Sequence, residues 1–306
     1  MSQARLAIIT GPTGAGKSDL AVQAAAILGG EIINADSLAL YRGFNIGTAK
    51  PGPADLERVP HHLIDVLEPE QSYDAAAFLR AARPIAETLW ASGRPPLAVG
   101  GTGFYLRSLT SGLFEGPGRD EAFRARLAEE ASSGVNLHAR LVEVDPETAA
   151  RLAPADRVRI ERALEVYYLS GRTISQWQNE HGLAEKPFEK TLAIVIDRRA
   201  DEMETRLEER TRKMFTSGLA KEVEDLLRQG WSPELKPFKS IGYKETVGYL
   251  NGEYSLEEAI TRTFIATRRL AKRQRTWFRG QMPEALWFHP DQFDEILHQL
   301  KAFFKI

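Results

Sequence analysis

Gly11-Pro12-Thr13-Gly14-Ala15-Gly16-Lys17-Ser18 has the spacing G-x-x-x-x-G-K-[ST] of a phosphate-binding loop. Glycines let such a loop curl until successive N–H groups point into one concavity, and the helix that follows adds partial positive charge at its N-terminus. Lys17 then meets the terminal phosphate oxygens, and the Ser18 hydroxyl is a ligand for Mg²⁺. A substrate carrying a diphosphate or a longer phosphate chain is expected. ATP or GTP would be the default, but a kinase or nucleotide triphosphatase also wants a metal-binding aspartate at the end of a strand of several apolar residues. Residues 96–99 (PLAV) run instead into Gly100-Gly101-Thr102-Gly103, and Asp65 follows only Leu63-Ile64. The first aspartate at a strand end is Asp36.

The elements that must hold these residues are legible from periodicity. Residues 5–10 read as a buried strand, 17–28 as a helix stopped by Gly29-Gly30, 31–35 as a second strand, 63–66 as a weak strand, 74–91 as a helix and 96–99 as another strand. This alternation implies parallel βαβ units. From about residue 115 to 186 helical periodicity dominates, at 121–132, 137–142, 146–152 and 156–169. A strand at 192–196 returns the chain to the sheet, and helices follow at 201–216, 219–229, 257–279 and 290–306. The expected fold is α/β: a parallel-sheet core like that of P-loop nucleotide triphosphatases, formed by residues 1–114 and 187–306, with an all-helical insertion at 115–186.

Composition narrows the classes. The chain has 306 residues, 43% hydrophobic and 27% charged, with a net charge of −2. It is not a polycation, so nucleic-acid binding requires a local basic patch. The absence of cysteine excludes disulfides, thiolate zinc sites and thiol nucleophiles. No apolar run approaches the ~18 residues of a membrane span, the N-terminal segment lacks a signal-peptide layout, and no coiled-coil pattern points to an obligate protein partner. These features suggest a soluble, cytoplasmic, monomeric protein. His61 and His62 face opposite ways on an extended segment, without further ligands at metal spacing, and are expected to be structural.

Three segments fall at the carboxyl ends of the strands, where parallel sheets bind ligands: Asp36-Ser37, residues 46–51 (IGTAKP) and residues 100–105 (GGTGFY). Together with the phosphate loop and residues 267–279 (TRRLAKRQRTWFR), they form a pattern that resembles the bacterial tRNA dimethylallyltransferases, also called tRNA isopentenyltransferases or the IPP transferase family. Residues 60–65 (PHHLID), 144–146 (VDP), 162–166 (RALEV), Gly218-Leu219 with Glu222-Val223, and 241–245 (IGYKE) extend the match over about 6–288. The resemblance implies transfer of a dimethylallyl group from dimethylallyl diphosphate to the exocyclic amino nitrogen of adenosine 37, beside the tRNA anticodon. It also implies that the loop holds a diphosphate, which would account for the missing second metal aspartate.

In that reaction negative charge grows on the leaving diphosphate, so donors aimed at its oxygens have the largest effect. Gly14, Gly16, Lys17, Ser18 and Mg²⁺ are the expected donors. The resemblance adds Thr102 near the bridging oxygen, and Arg210 as a further guanidinium, with Arg206 its competitor. The adenine amino group is a poor nucleophile and needs a carboxylate to take its proton. Asp36 is the candidate base, with Ser37 beside it; the competing role is a turn cap. The family often has Gln where Ala39 stands here, so Leu38 and Ala39 flank the base without that side chain.

The target base must leave the stacked anticodon loop, which is cheaper in a single-stranded loop than in a duplex. Phosphate contacts are expected from Arg268, Lys272, Arg275 and Arg279, which share one helix face, flanked by Arg269 and Arg273. Trp277 and Phe278 read as core. The resemblance implies further tRNA contacts from Asp36, Ser37, Leu38, Ala39 and Thr102 at the reacting base, and from Arg124 and the run Val158, Arg159, Ile160, Glu161 and Arg162, although Arg162 has Glu165 and Glu161 as structural partners within reach. Three other readings stay open: a small-molecule kinase, prenyl transfer onto free AMP, ADP or ATP, and a non-catalytic RNA-binding protein. The first leaves the basic helix unexplained, the second the large insertion, and the third the carboxylate beside the phosphate loop.

Overall fold

A computed structural model describes residues 4–114, 116–181 and 186–306. It divides into two compact units, one of residues Met1–Ser111 with Pro187–Ile306 and the other of Gly112–Lys186. Residue 115, where the sequence marks the start of the insertion, lies outside the described residues.

The first unit begins with strand β1 (Arg5–Thr10), helix α1 (Lys17–Leu28), strand β2 (Glu31–Asn34), helix α2 (Pro53–Arg58), strand β3 (His61–His62), helix α3 (Ala75–Ala91), strand β4 (Pro96–Val99) and helix α4 (Gly103–Ser111). The second unit holds α5 (Glu121–Ser132), α6 (Leu137–Val144), α7 (Pro146–Arg151), α8 (Arg157–Ser170) and α9 (Ile174–His181). The first unit resumes with β5 (Lys190–Ile196), α10 (Ala200–Thr216), α11 (Leu219–Arg228), α12 (Tyr243–Leu250), α13 (Leu256–Gln281), β6 (Leu286–Phe288) and α14 (Phe293–Phe304).

The strands form one sheet in the order β3-β2-β4-β1-β5-β6, and every pairing is parallel. Such strands are buried on both faces and read as continuous apolar runs. Leu6, Ile8, Ile33, Ala98 and Val195 point to one face, in the cluster that holds Phe78, Ala82, Leu106 and Phe278. Ala7, Ile9, Ile32, Leu97 and Ile194 point to the other, in the cluster of Leu20, Ala24, Ile296 and Leu300. The register pairs Ile9 with Val99, Asn34 with Val99 and Thr10 with Val195. The carboxyl ends of β1, β2, β4 and β5 are therefore level, and the loops after them open at one edge. The connection after β1 runs to one side of the sheet, to β2, and the connection after the neighbouring β4 runs to the other side, to β5, so the edge at β1 and β4 is also a topological switch point.

Residues 63–66 do not form the expected strand. The strand is His61–His62, and Leu63 and Asp65 take left-handed conformations at φ 60° and 54°, which turn the chain sharply. Strand β6, three residues long, is too short for its pattern to have been recognised. The C-terminal helix begins at Phe293, after a turn at residues 290–292.

In the second unit Phe123, Leu127, Leu137, Leu141, Ile160 and Leu164 make a separate core. Asp120, Asn136, Asp145 and Asp156 each cap a helix by accepting a backbone N–H through the side chain.

Candidate active site

The loop between β1 and α1 is held open from outside. Gly16 sits at φ 94° and ends as the N-terminal residue before α1, a left-handed conformation that costs a side-chain-bearing residue about 1–2 kcal/mol. Arg206 Nε donates to Gly14 O at 3.1 Å, and Arg198 Nε donates to Ala15 O at 3.1 Å. Two loop carbonyls are thus held by guanidiniums. Among the N–H groups, Ala15 donates to Pro12 O at 3.2 Å and Thr13 donates to Gln274 Oε1 at 2.9 Å. Pro12 has no N–H. Of the expected phosphate ligands, Pro12, Thr13 and Ala15 therefore offer no free backbone donor, and Gly11 and Pro12 are buried. The N–H groups of Gly14, Gly16, Lys17 and Ser18 make no bond to protein among the described residues, apart from those of α1 itself.

Lys17 and Arg210 line a cavity of about 1060 Å³ at this edge, with Ser18, Asp36, Ser37, Leu38, Ala39 and Thr102. Burial lowers the Lys17 ammonium from 10.5 to about 8; the charge of Asp36 opposes that shift and Arg210 adds to it. Burial also lowers Arg210, against the pull of Asp36. Arg206, the rival to Arg210, spends its Nε on the Gly14 carbonyl and does not line the cavity.

Asp36 lies just beyond the end of β2, with only Ala35 between, and its loop is fixed by Asn34. Asn34 Oδ1 accepts the Asp36 N–H at 3.0 Å, while Asn34 Nδ2 donates to Asp36 O at 3.1 Å and to Leu63 O at 2.8 Å. Asp36 Oδ1 accepts the Leu38 N–H at 2.9 Å. The turn-capping role is therefore real, yet it uses one carboxylate oxygen; no hydrogen bond reaches Oδ2 among the described residues. The Ser37 N–H donates to Thr102 Oγ1 at 2.9 Å, and the Thr102 N–H donates to Ala35 O at 3.2 Å. The Thr102 hydroxyl accepts from one loop and keeps its own proton for another acceptor.

Residues 46–51, near the same edge, are tied by Glu222 on α11. Its carboxylate accepts the Ile46 N–H at 2.9 Å and the Tyr243 hydroxyl at 2.6 Å. The buried Lys50 ammonium donates to Tyr41 O and to Asp65 Oδ1, each at 2.5 Å. Asp65 is thus engaged with Lys50. No cluster of three or more His, Cys, Asp or Glu able to hold a metal occurs among the described residues. The donor set fits a hard cation held mainly by phosphate oxygens and water, with the exposed Ser18 Oγ as protein ligand.

Several residues expected at RNA are otherwise employed. Ile160 is buried in the core of the second unit. Glu165, fully buried, accepts Arg124 Nη2 at 2.8 Å, Arg162 Nη1 at 2.7 Å and the Asp120 N–H at 2.8 Å. Arg159 pairs with Asp156, and Glu161 with Arg157 at 2.5 Å, while Val158 is 72% exposed. On α13, Arg275 grips Asp197 with two nitrogens at 2.8 and 2.7 Å, Arg268 pairs with Glu204 at 2.7 Å, and Arg279 lies over Trp287. The face shared by Arg268, Arg275 and Arg279 thus engages the protein's own surface. Arg269 and Lys272 are exposed, with no ion pair among the described residues; Arg273 joins Thr267, Leu270, Gln274, Trp277 and Phe278 in lining the cavity. Phe278 is core, and the half-buried Trp277 packs against the same core while also lining the cavity beside Phe104. His62 lies 2.6 Å from Glu31 Oε2, and His61 Nδ1 lies 2.7 Å from Val59 O.

The model for the IPP transferase family matches residues 39–281. A tRNA dimethylallyltransferase of Geobacter sulfurreducens is 46% identical, over 99% of this chain and 98% of its own length. One from Syntrophobacter fumaroxidans is 46% identical, over 92% of this chain and 82% of its own. The crystal structure of a tRNA isopentenylpyrophosphate transferase from Bacillus halodurans superposes with a TM-score of 0.73 at 35% identity, covering 99% of this chain and 97% of that one. A eukaryotic dimethylallyltransferase acting on tRNA gives a TM-score of 0.80 at 28% identity, over 94% and 74%. A phosphate loop and a carboxylate loop share the strand edge, and sequence likeness runs through both units, so the chain belongs to the IPP transferase family.

Proposed function

We propose that this protein transfers a dimethylallyl group from dimethylallyl diphosphate to the exocyclic amino nitrogen of adenosine 37 in the anticodon loop of tRNA. The observation that carries this reading is one cavity holding both a diphosphate grip and a carboxylate with a free oxygen. The Gly14, Gly16, Lys17 and Ser18 N–H groups, the Lys17 ammonium and the Arg210 guanidinium bind the diphosphate. Mg²⁺, when bound beside Ser18, neutralises phosphate charge. The bond from the allylic carbon to the bridging oxygen breaks, and a bond from that carbon to the adenine nitrogen forms. Thr102 donates its hydroxyl proton toward the leaving oxygen, and Asp36 Oδ2 takes the proton from nitrogen. The apolar side chains of Ile64, Met214 and Leu270 give the prenyl group a dry wall.

The acceptor reaches the cavity as a flipped base. Arg269, Lys272 and Arg273 contribute phosphate contacts, and the exposed Val158 end of α8 contributes a further RNA surface. An acceptor of this class implies a cytoplasmic enzyme, and the reaction calls for no protein partner.

The test is incubation of the protein and Mg²⁺ with labelled dimethylallyl diphosphate and unmodified tRNA. Label should enter tRNA; label on AMP and none on tRNA would leave the free-nucleotide reading standing. Asp36→Asn keeps the Leu38 contact and removes the base. It should lower turnover by about 10²–10⁴-fold while diphosphate still binds; a loss within about tenfold would remove Asp36 from that role.

A further inference from the structure

Gln274 occupies a place that the site's chemistry leaves without a task. Its side-chain oxygen accepts the Thr13 N–H of the phosphate loop at 2.9 Å, and its side-chain nitrogen donates to the Gly101 carbonyl at 2.9 Å. Thr13 follows β1 and Gly101 follows β4, while Gln274 lies on α13. One primary amide therefore fastens two loops from neighbouring strands at the edge where the cavity opens. The fit is close: a Cβ on Gly101 would lie 2.6 Å from Gln274 Nε2, so a side chain there would displace the amide. The helix beneath is held firmly, with Ala271 and Phe278 buried and Arg275 gripping Asp197.

The bonds continue past Gly101. The next residue is Thr102, whose hydroxyl oxygen accepts the Ser37 N–H, and Ser37 adjoins Asp36. A continuous path runs from the phosphate loop through Gln274 and Thr102 to the loop of the carboxylate.

We propose that Gln274 is a positioning residue that sets the register of the diphosphate grip against Thr102 and Asp36. The inference rests on the prenyl-transfer reading. The amide is suited to the task because it presents one acceptor and one donor in a fixed plane; a carboxylate would set an oxygen against the Gly101 carbonyl, and a thioether has no donor and only a weak acceptor. Bond breaking at the allylic oxygen and bond making at the adenine nitrogen must be aligned together, so loosening this fastening weakens the transition state more than either bound substrate.

The experiment compares wild type, Gln274→Met, Gln274→Glu, Thr102→Ala and the Gln274→Met/Thr102→Ala double variant, measuring transfer from dimethylallyl diphosphate to tRNA and thermal midpoints. Gln274→Met should lower kcat by about 10–100-fold, with KM for both substrates within about threefold. Gln274→Glu should be no better, although it keeps the Thr13 contact. The double variant should lose clearly less than the product of the two single losses, because both act through one arrangement. A kcat within about twofold of wild type, a loss carried wholly by KM, or multiplicative losses in the double variant would each overturn the inference. So would a fall in thermal midpoint large enough to unfold Gln274→Met at the assay temperature, unless at lower temperature the folded variant shows the kcat loss. An inactive wild type would overturn the prenyl-transfer reading and this inference with it; an active wild type beside an unaffected Gln274→Met would overturn this inference alone.

Discussion

The Ser37 N–H donates to the Thr102 hydroxyl oxygen at 2.9 Å, across 65 residues of sequence. With one lone pair taken by the backbone, the hydroxyl proton is turned elsewhere, and the cavity is what Thr102 lines. Removing a donor aimed at growing oxygen charge typically costs about 10²–10³ in kcat. Thr102→Ala should show that loss and Thr102→Ser should recover most of it, as read from steady-state transfer to tRNA. Equal activity of the two variants would show that the hydroxyl does not act on the leaving group.

Lys17 gives the reaction an alkaline limit. Its enclosed ammonium is lowered to about 8 from an ordinary 10.5. On the prenyl-transfer reading the diphosphate needs the charged form, so kcat/KM for dimethylallyl diphosphate should be level on this account below about pH 7, bend near pH 8 and fall about tenfold per unit well above it. The stability effect has the opposite direction. Between pH 8 and 10.5 the unfolded chain binds more protons at this residue than the folded one, so the penalty of burying the charge is relieved as pH rises. Lys17→Met should therefore be more stable than wild type at pH 7, by a margin that narrows toward pH 10. Chemical denaturation at several pH values measures it.

Glu165 is the electrostatic centre of the second unit. Burial would raise its carboxyl, but hydrogen bonds from Arg124, Asp120 and Arg162 outweigh that and hold it at about 2, against 4.5. A lowered carboxylate contributes stability that is present above pH 4.5 and lost as pH falls toward 2. Glu165→Gln should cost about 3 kcal/mol at neutral pH, because two guanidiniums lose their counter-charge. The difference from wild type should shrink in acid. Hydrogen exchange within residues 121–170 would report the same loss locally.

The basic residues of α13 are expected to separate into two roles. Arg275 is engaged by Asp197, whereas Lys272 and Arg269 are exposed without an ion pair among the described residues. Lys272→Ala and Arg269→Ala should weaken tRNA binding uniformly and each lower the salt slope of log K by roughly 0.7. Arg275→Ala should instead cost about 2 kcal/mol of stability and leave that slope unchanged. Filter binding across a salt series, with thermal melts, distinguishes them.

Much of this molecule is written locally. The apolar runs of β1 and β4, the glycines and Lys17-Ser18 after β1, and Asp36 after β2 depend on neighbours within a few residues, which is the range over which spacing carries information. The alternation of strands and helices then required a parallel sheet, and a parallel sheet required the loops to gather at one edge. Helix 17–28 ends at the glycines that marked its stop, and helix 121–132 has the bounds its periodicity marked. Short or irregular pieces were not legible: β6 has three residues, and the turn at Leu63 and Asp65 is set by packing and by the hold of Asn34 and Lys50.

Only the tertiary structure decided which polar side chains meet. Helical periodicity grouped Arg268, Lys272, Arg275 and Arg279 on one face, but it carries no record of Asp197 or Glu204, which claim two of them. The same holds for Arg124 and Arg162 on Glu165, and for Gln274, whose acceptor bond reaches Thr13 across 261 residues. The sequence determined that a phosphate loop and a carboxylate stand at one strand edge. The long-range hydrogen bonds decided how rigidly the two are joined, because partners so far apart leave no spacing to read.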